Sequence, residues 1–473
     1  MPTVSSPPAS QVRRFVVAIA TIISAGLVVS ACGFTVDEAA AEDASAPATA
    51  RADVSVMDPS VVHDIAVSFD EDGYDAMIDA YAATGDKEWI EATVMIDGVT
   101  YEQVGLRLKG NSSLRGLGND RAGEASTVSA DDPSGLPWLI RFDKYVEGQN
   151  HEGLSDLVIR SNSTETSLNE AVALDLLELA GLASQDAIAV AFSVNGSEST
   201  PRLAIEHPDD VWMDDNFSDD GALYKAESSG DYSYRGDDPD AYDEVFDQEA
   251  GKDNEDLTPL IEFLDFINYA GDATFNAELA DHFDIESFAT YLAMQDLIDN
   301  FDDINGPGNN SYLYYDPDTE VFTVVAWDHN LAFGVRNNDG AGLRVAPGGG
   351  LADVPAGGPG GGQPNGAGLQ PPVGGPPERQ LPDEGIPAGG PGEQGGPGEQ
   401  GEQANVLVDR FLANPQFSAL YDTALVELDA SLYESGVAAE VLASWVAVLE
   451  TSGLVTTGTI ADESAQIAAY FGS

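Results

Sequence analysis

Between Asn300 and Gly334 the 473-residue chain gathers its densest set of hard potential ligands, in the run NFDDINGPGNNSYLYYDPDTEVFTVVAWDHNLAFG. Residues 312–315 and 321–327 are aromatic and β-branched, and they flank Asp316-Pro317-Asp318, a turn-forming triplet, so the run predicts a β-hairpin. Asp302 and Asp303 precede the first strand, Asn310 stands at its entry, and Asp328 leaves the second strand after Trp327. A hairpin brings those ends together. Carboxylate and amide oxygens converging there suit Mg²⁺ or Mn²⁺, which keep part of their coordination for water or phosphate. The competing readings are a plain acidic turn and a structural Ca²⁺ site, since acidic loops are common in so acidic a chain.

A second segment carries the opposite charge. Residues 107–160 hold seven basic residues (Arg107, Lys109, Arg115, Arg121, Arg141, Lys144 and Arg160) against eight acidic ones. A nearly neutral stretch in a chain of net charge −63 is where a polyanion such as ATP is tolerated. Surface ion-pair partners are the alternative. Within it, Val104-Gly105-Leu106-Arg107-Leu108-Lys109-Gly110-Asn111-Ser112-Ser113 runs from a strand into a polar turn rich in donors.

These motifs together resemble the CotH kinase family, the spore-coat CotH proteins and their secreted relatives. The resemblance rests on R-L-K-G-N-S-S at 107–113, L-Y-K at 223–225, N-x-D at Asn300-Phe301-Asp302, an Asn before a Tyr-rich strand, and W-D at Trp327-Asp328. It covers roughly residues 60–335 and, more loosely, the final helices. It implies an α+β, atypical two-lobed protein-kinase-like fold, with a β-rich N-lobe and a mostly helical C-lobe. It also implies phosphoryl transfer from ATP to a hydroxyl of a protein, with Mg²⁺ or Mn²⁺. On the matching positions, Asp302 takes the catalytic-base place, Asn310 and Asp328 hold metal, and Lys109, Asn111, Ser112 and Glu206 contact the cofactor. Lys225 is the alternative phosphate contact. Two positions depart from the family pattern: Asn330 stands where relatives often carry another Asp, and Gly306-Pro307-Gly308 lengthens the loop between Asp302 and Asn310.

The elements that must position these residues follow in order. Residues 1–31 combine Arg13 and Arg14 with an apolar run and end before Cys32, the pattern of an export signal. Val29-Ser30-Ala31-Cys32 resembles a lipobox, so lipidation at Cys32, the single cysteine, is expected. An ordinary signal peptide is the alternative. Removing residues 1–31 leaves 17 basic against 82 acidic residues, a charge of about −65 that makes nucleic acid and anionic headgroups poor partners. The expected location is therefore extracytoplasmic, held to the cell membrane by lipid alone, with a protein substrate on the surface or in the envelope.

Residues 32–57 read as a flexible acidic tether and 58–337 as the kinase-like domain. Strands are expected over 62–69, 90–96, 104–108, 140–144, 157–162, 188–194 and 203–206, and helices over 74–81, 167–179, 257–269 and 285–298. Ser167 and Glu170 match a capping box, which favours Glu170 as a cap over a lysine's partner. Residues 228–256 read as a charged surface insertion, 338–403 as a Gly/Pro-rich disordered insertion, and 404–473 as helices packing back on the C-lobe. Two other function classes stay open: a non-catalytic surface protein binding metal, glycan or a protein partner, and a hydrolase using Asp302 and Asp303.

Overall fold

The computed structural model describes residues 55–472 apart from 115–116, 118–127, 218–219, 228–229, 253–254, 307–308 and 336–404. Cys32, the export signal, most of the tether and the Gly/Pro-rich insertion therefore lie outside the described residues. Two residues assigned to the tether belong to the fold: Val56 is buried and Met57 packs beside it on the first core.

In chain order come β1 (Val62–Phe69), α1 (Glu71–Thr84), β2 (Ile90–Ile96), β3 (Val99–Leu108), β4 (Trp138–Arg141), β5 (Asp156–Ile159), α2 (Leu168–Leu179), β6 (Ala187–Val194) and β7 (Thr200–Glu206). The seven strands close into a barrel in the order β1-β2-β3-β4-β5-β7-β6, with parallel pairing of β6 and β1 completing the ring. Alternation explains its two surfaces. Val104, Leu106 and Leu108 of β3 fill the interior with Trp138, Ile140, Leu157 and Ile159. The intervening residues face outward: Gly105 and Arg107 on β3, Leu139 and Arg141 on β4, Asp156 and Val158 on β5. Leu139 and Val158 join the second core of the molecule, so that outward face is covered, with charged side chains at its ends.

After β7 follow α3 (Asp210–Asn216), β8 (Ala222–Ala226), β9 (Phe246–Ala250), α4 (Thr258–Tyr269), α5 (Asp272–His282), α6 (Ile285–Leu297), β10 (Ser311–Asp316) and β11 (Val321–Ala326). Strands β11-β10-β8-β9 form a four-stranded sheet in that order. The expected hairpin is present in register, Ser311 opposite Ala326 and Asp316 opposite Val321. Phe322 stacks on Phe263 of α4, and the buried aromatic residues of α6 complete this core.

The described residues of 228–256 are not a surface insertion. Tyr232, Tyr242, Val245 and Phe246 are buried and β9 pairs with β8, because aromatic residues spaced among acids anchor the segment to the sheet. The final helices are α7 (Val406–Ala413), α8 (Pro415–Leu428), α9 (Val437–Ser452) and α10 (Thr457–Ala468), with a six-residue π turn at Asp429–Glu434. They bind the helices around the hairpin: α8 lies on α6, and Arg410 donates to the Ile267 and Ala270 carbonyls at the end of α4, each at 2.6 Å. They also reach further than expected. Helix α9 packs on α2 and touches β1 and β6 of the barrel. The fold is thus mixed α/β, sheet-rich first and helical later, with a closed barrel as its first part.

Candidate functional site

Two backbone ladders deliver the site. The first ends at the hairpin, where Ser311 pairs with Ala326, so Asn310 and Trp327 emerge side by side and Asp328 follows. Asp328 adopts a left-handed φ of 64°, which turns the chain sharply away from the strand direction. Asn310 Nδ2 donates to the Asp302 carbonyl at 2.8 Å, and Asn310 N to the Asp303 carbonyl at 3.3 Å, so Asn310 clamps the loop that carries Asp302. The expected convergence of Asp302, Asn310 and Asp328 at one end of the hairpin is therefore a backbone fact.

The second ladder is the barrel edge. Arg160, immediately after β5, donates through Nη2 to Asp328 and lies 2.8 Å from Glu170 Oε1. Glu170 corrects the capping-box expectation. Ser167 sits at φ 54° with no side-chain cap, and the start of α2 is held instead by Thr166 Oγ1, which accepts from Leu168 N at 3.1 Å. Glu170 is buried and serves Arg160. Burial pushes its carboxyl up and Asp328 adds to that, while Arg160 opposes both. Burial likewise disfavours charge on Arg160, but Asp328 and Glu170 outweigh it and hold the guanidinium charged.

Lys109, just past β3, also comes up to Trp327. Its Nζ is 5.7 Å from the Trp327 ring centroid, and the Arg160 guanidinium is 5.6 Å from the same ring. Burial lowers the Lys109 pKa to about 8, with Lys225, Arg107 and Lys87 pressing it down further and Glu249 opposing them. The remaining lysines are engaged too. Lys87 donates to Asn111 Oδ1 at 2.7 Å, Lys144 lies 5.1 Å from the Trp89 ring, Lys225 pairs with Glu227 at 3.1 Å, and Lys252 with Glu249 at 3.5 Å. Trp89 also carries Arg107 at 4.7 Å and Arg141 at 5.5 Å. Glycine makes room for this crowding: a Cβ on Gly105 would stand 2.5 Å from Lys144 Cβ. Four of the five lysines, Lys87, Lys109, Lys225 and Lys252, thus share one neighbourhood, in a protein with 82 carboxylates.

The other expected cofactor contacts divide. Asn111 and Ser112 are exposed in the turn after β3, and Gly110 takes a φ of 97° there, where a Cβ would meet Ser113 Oγ at 2.3 Å. Glu206 lies elsewhere, at the end of β7, where Oε2 accepts from Asp186 N at 2.9 Å. Burial and then Asp186 raise its pKa to about 8. It lines a small pocket with Asp156, His207 and Asp209. The ligand atoms of those last three lie within 4.8 Å of one another, which makes them a possible cation group.

The neighbouring acids differ from one another. Asp303 Oδ1 accepts from Asn305 N at 2.9 Å, and burial and Asp296 raise its pKa to about 6. It is a loop-holding carboxyl, which weakens the pairing of Asp302 with Asp303 as a hydrolytic acid and base. Among the described residues, three buried polar atoms near Asp328 have no hydrogen-bond partner: Arg160 Nε, His329 Nδ1 and the Tyr312 hydroxyl. Such atoms are costly unless a ligand or water meets them. Asp328 and Asn310 carry hard oxygen donors of the kind Mg²⁺ or Mn²⁺ takes. Sequence reasoning missed Arg160 and Glu170 as a pair; the usable signal was a basic residue ending a strand and an acid one turn into the next helix.

Comparison with known proteins agrees with the motif reading. A family model described as CotH kinase protein matches residues 106–452, which spans both ladders and most of the final helices. No curated protein matches the chain.

Proposed function

The chain belongs to the CotH kinase family, and from that membership we propose that it is an exported atypical kinase that transfers phosphate from ATP to a hydroxyl of an envelope or surface protein. The observation that carries this reading is the placement of Arg160 and Lys109 at 5.6 and 5.7 Å from the centroid of the one Trp327 ring, with Asp328 and the buried Glu170 both paired to Arg160. A transferring phosphoryl group needs fixed positive charge at its oxygens and a carboxylate near the attacking hydroxyl, and little covalent chemistry besides.

In this reading the barrel and the hairpin sheet with its helices act as two lobes, and the nucleotide lies where Lys109, Arg160 and Asp328 meet. Asp328 and Asn310 would hold the divalent cation, which when bound supplies charge neutralisation to the phosphates. Lys109 and Arg160 meet the phosphate chain. Asp302 accepts the proton of the attacking hydroxyl, its loop held by Asn310. Asn330 accepts at its carbonyl from Asn169 Nδ2 at 2.7 Å. Lipid attachment at Cys32 would place this activity outside the cell, and Cys32→Ser should release the protein from membranes.

Binding of ATP to the purified protein, measured with and without Mg²⁺ or Mn²⁺, tests the proposal. Metal-dependent binding is expected. A protein that binds neither ATP nor ADP under any of these conditions would instead be a surface-binding protein on a kinase-family scaffold.

A further inference from the structure

His207 is fully buried behind Lys109 and has both ring nitrogens engaged. Nε2 is 2.8 Å from Lys109 Nζ, and Nδ1 is 3.2 Å from Asp156 Oδ2. An ammonium can only donate and a carboxylate can only accept, so the ring must accept at Nε2 and donate from Nδ1–H. That assigns one neutral tautomer. Burial and the Lys109 charge both hold the imidazole below its usual pKa, in keeping with it. Asp156 is fixed in turn: Arg141 Nε donates to its Oδ1 at 2.8 Å, and Arg141 and His207 together bring its pKa to about 2 against the effect of burial.

The same residues form the possible cation group, but their ligand atoms are already committed. His207 uses both nitrogens and Asp156 both oxygens. Asp209 accepts from Ser155 Oγ at 2.6 Å and from Trp212 N at 3.0 Å, the latter as the cap of α3. A cation there would have to break contacts on all of these side chains. We propose that Arg141, Asp156 and His207 form a rigid relay that aims the Lys109 ammonium at the phosphate chain of the nucleotide, with His207 as its positioning residue. This rests on the kinase reading of the site. One Lys109 N–H is spent on His207 Nε2, which fixes the direction of the other two. A lysine on a four-carbon stem otherwise loses much rotamer freedom on meeting its ligand, so bracing it beforehand strengthens binding. No bond to His207 is made or broken.

Two isosteres separate positioning from mere packing. The glutamine side chain introduced by His207→Gln reaches as far as Nε2 and keeps an acceptor for Lys109; the asparagine introduced by His207→Asn reaches only to Nδ1 and keeps the Asp156 contact. Binding of the Mg²⁺ complex of a non-hydrolysable ATP analogue to the full chain is measured by calorimetry, with adenosine as the phosphate-free control. His207→Gln should bind within about threefold of the parent, whereas His207→Asn should lose roughly tenfold to a hundredfold, the range for a charge-assisted contact. Lys109→Met should match His207→Asn, adenosine affinity should be unchanged, and the Lys109→Met/His207→Asn double variant should lose little more.

Equal affinity of His207→Asn and the parent overturns the relay, as does a His207→Gln loss as large as that of His207→Asn. A Zn²⁺ or Mn²⁺ site abolished in His207→Gln and retained in Asp328→Ala overturns it in favour of a cation centre. A parent that binds the analogue, while both His207 variants track only their melting temperatures, sinks the relay alone. A parent that binds no analogue removes the kinase reading and the relay with it.

Discussion

Arg160 and Asp328, 168 residues apart in sequence, meet through a guanidinium–carboxylate contact that joins the barrel to the hairpin. Arg160 is buried and also answers Glu170, so one cation balances two acids. Breaking a buried pair by removing one partner typically costs about 3–5 kcal/mol, because the other charge is left stranded. Arg160→Met should therefore lower stability by that much. Adding Glu170→Leu should recover most of it without recovering nucleotide binding. Denaturant melts paired with ATP titrations would separate the two effects, and a double variant that regains binding would show that Arg160 acts only as a structural counter-ion.

Asp328, Asp302 and Asp303 should respond differently although all three border one loop. Asp328→Asn should abolish metal-dependent nucleotide binding and transfer together. Asp302→Asn should keep the nucleotide and lose transfer by roughly 10²–10⁴-fold, the usual scale for a general base. Asp303→Asn keeps an acceptor for Asn305 N and should change transfer less than about tenfold, since it removes no group from the reacting atoms. Initial rates and nucleotide affinities measured side by side decide the assignment; an Asp303 variant as inactive as the Asp302 variant would reverse it.

Asp175 links the last helices to the core and gives the protein a pH dependence of its own. Trp445 Nε1 donates to Asp175 Oδ2 at 2.7 Å, fastening α9 to α2. Burial raises the Asp175 pKa from 3.8 to about 7, although the Trp445 contact opposes it. Since the folded value exceeds the unfolded one, the folded state binds the proton more tightly, and stability falls as pH rises from about 4 to about 7. The penalty above that window is up to about 4 kcal/mol. Asp175→Asn keeps an acceptor for Trp445 and removes the charge. Relative to the parent it should be neutral near pH 4 and more stable at pH 8, by melting temperature across the range; equal curves would refute the link.

Much of this arrangement could be read from residue order, and the failures have physical causes. The hairpin at β10 and β11 was legible because β-branched and aromatic runs flank an acidic Pro turn, and β1 and β2 because their apolar residues alternate cleanly. Helix α5 was not: only Phe275 and Leu279 of its eleven residues are buried, too few to show a period. Strand β9, FDQEA, reads as polar because Asp247 and Glu249 face the lysines across the site. Glu170 was misread because a local capping pattern fits the same spacing as a helix acid pointing inward. The signal against it was Arg160, a basic residue immediately after β5 and before that helix.

Glu249 is the acid that restrains this cluster of lysines, and its removal should be visible in both stability and anion binding. Burial alone would raise its pKa, but Lys109 first, and Lys252 and Lys225 among the others, bring it from 4.5 to about 2. A folded value below the unfolded one means that its stabilisation is present above pH 4.5 and disappears as pH falls toward about 2. Glu249→Gln should thus lose up to about 3 kcal/mol at neutral pH and show a flatter acid limb than the parent. It also leaves the lysines short of counter-charge. Inorganic phosphate or sulfate should then raise the melting temperature of the variant more than that of the parent, and this gain should shrink with added NaCl. If the two proteins respond alike to pH and to phosphate, Glu249 is not the counter-charge of this cluster.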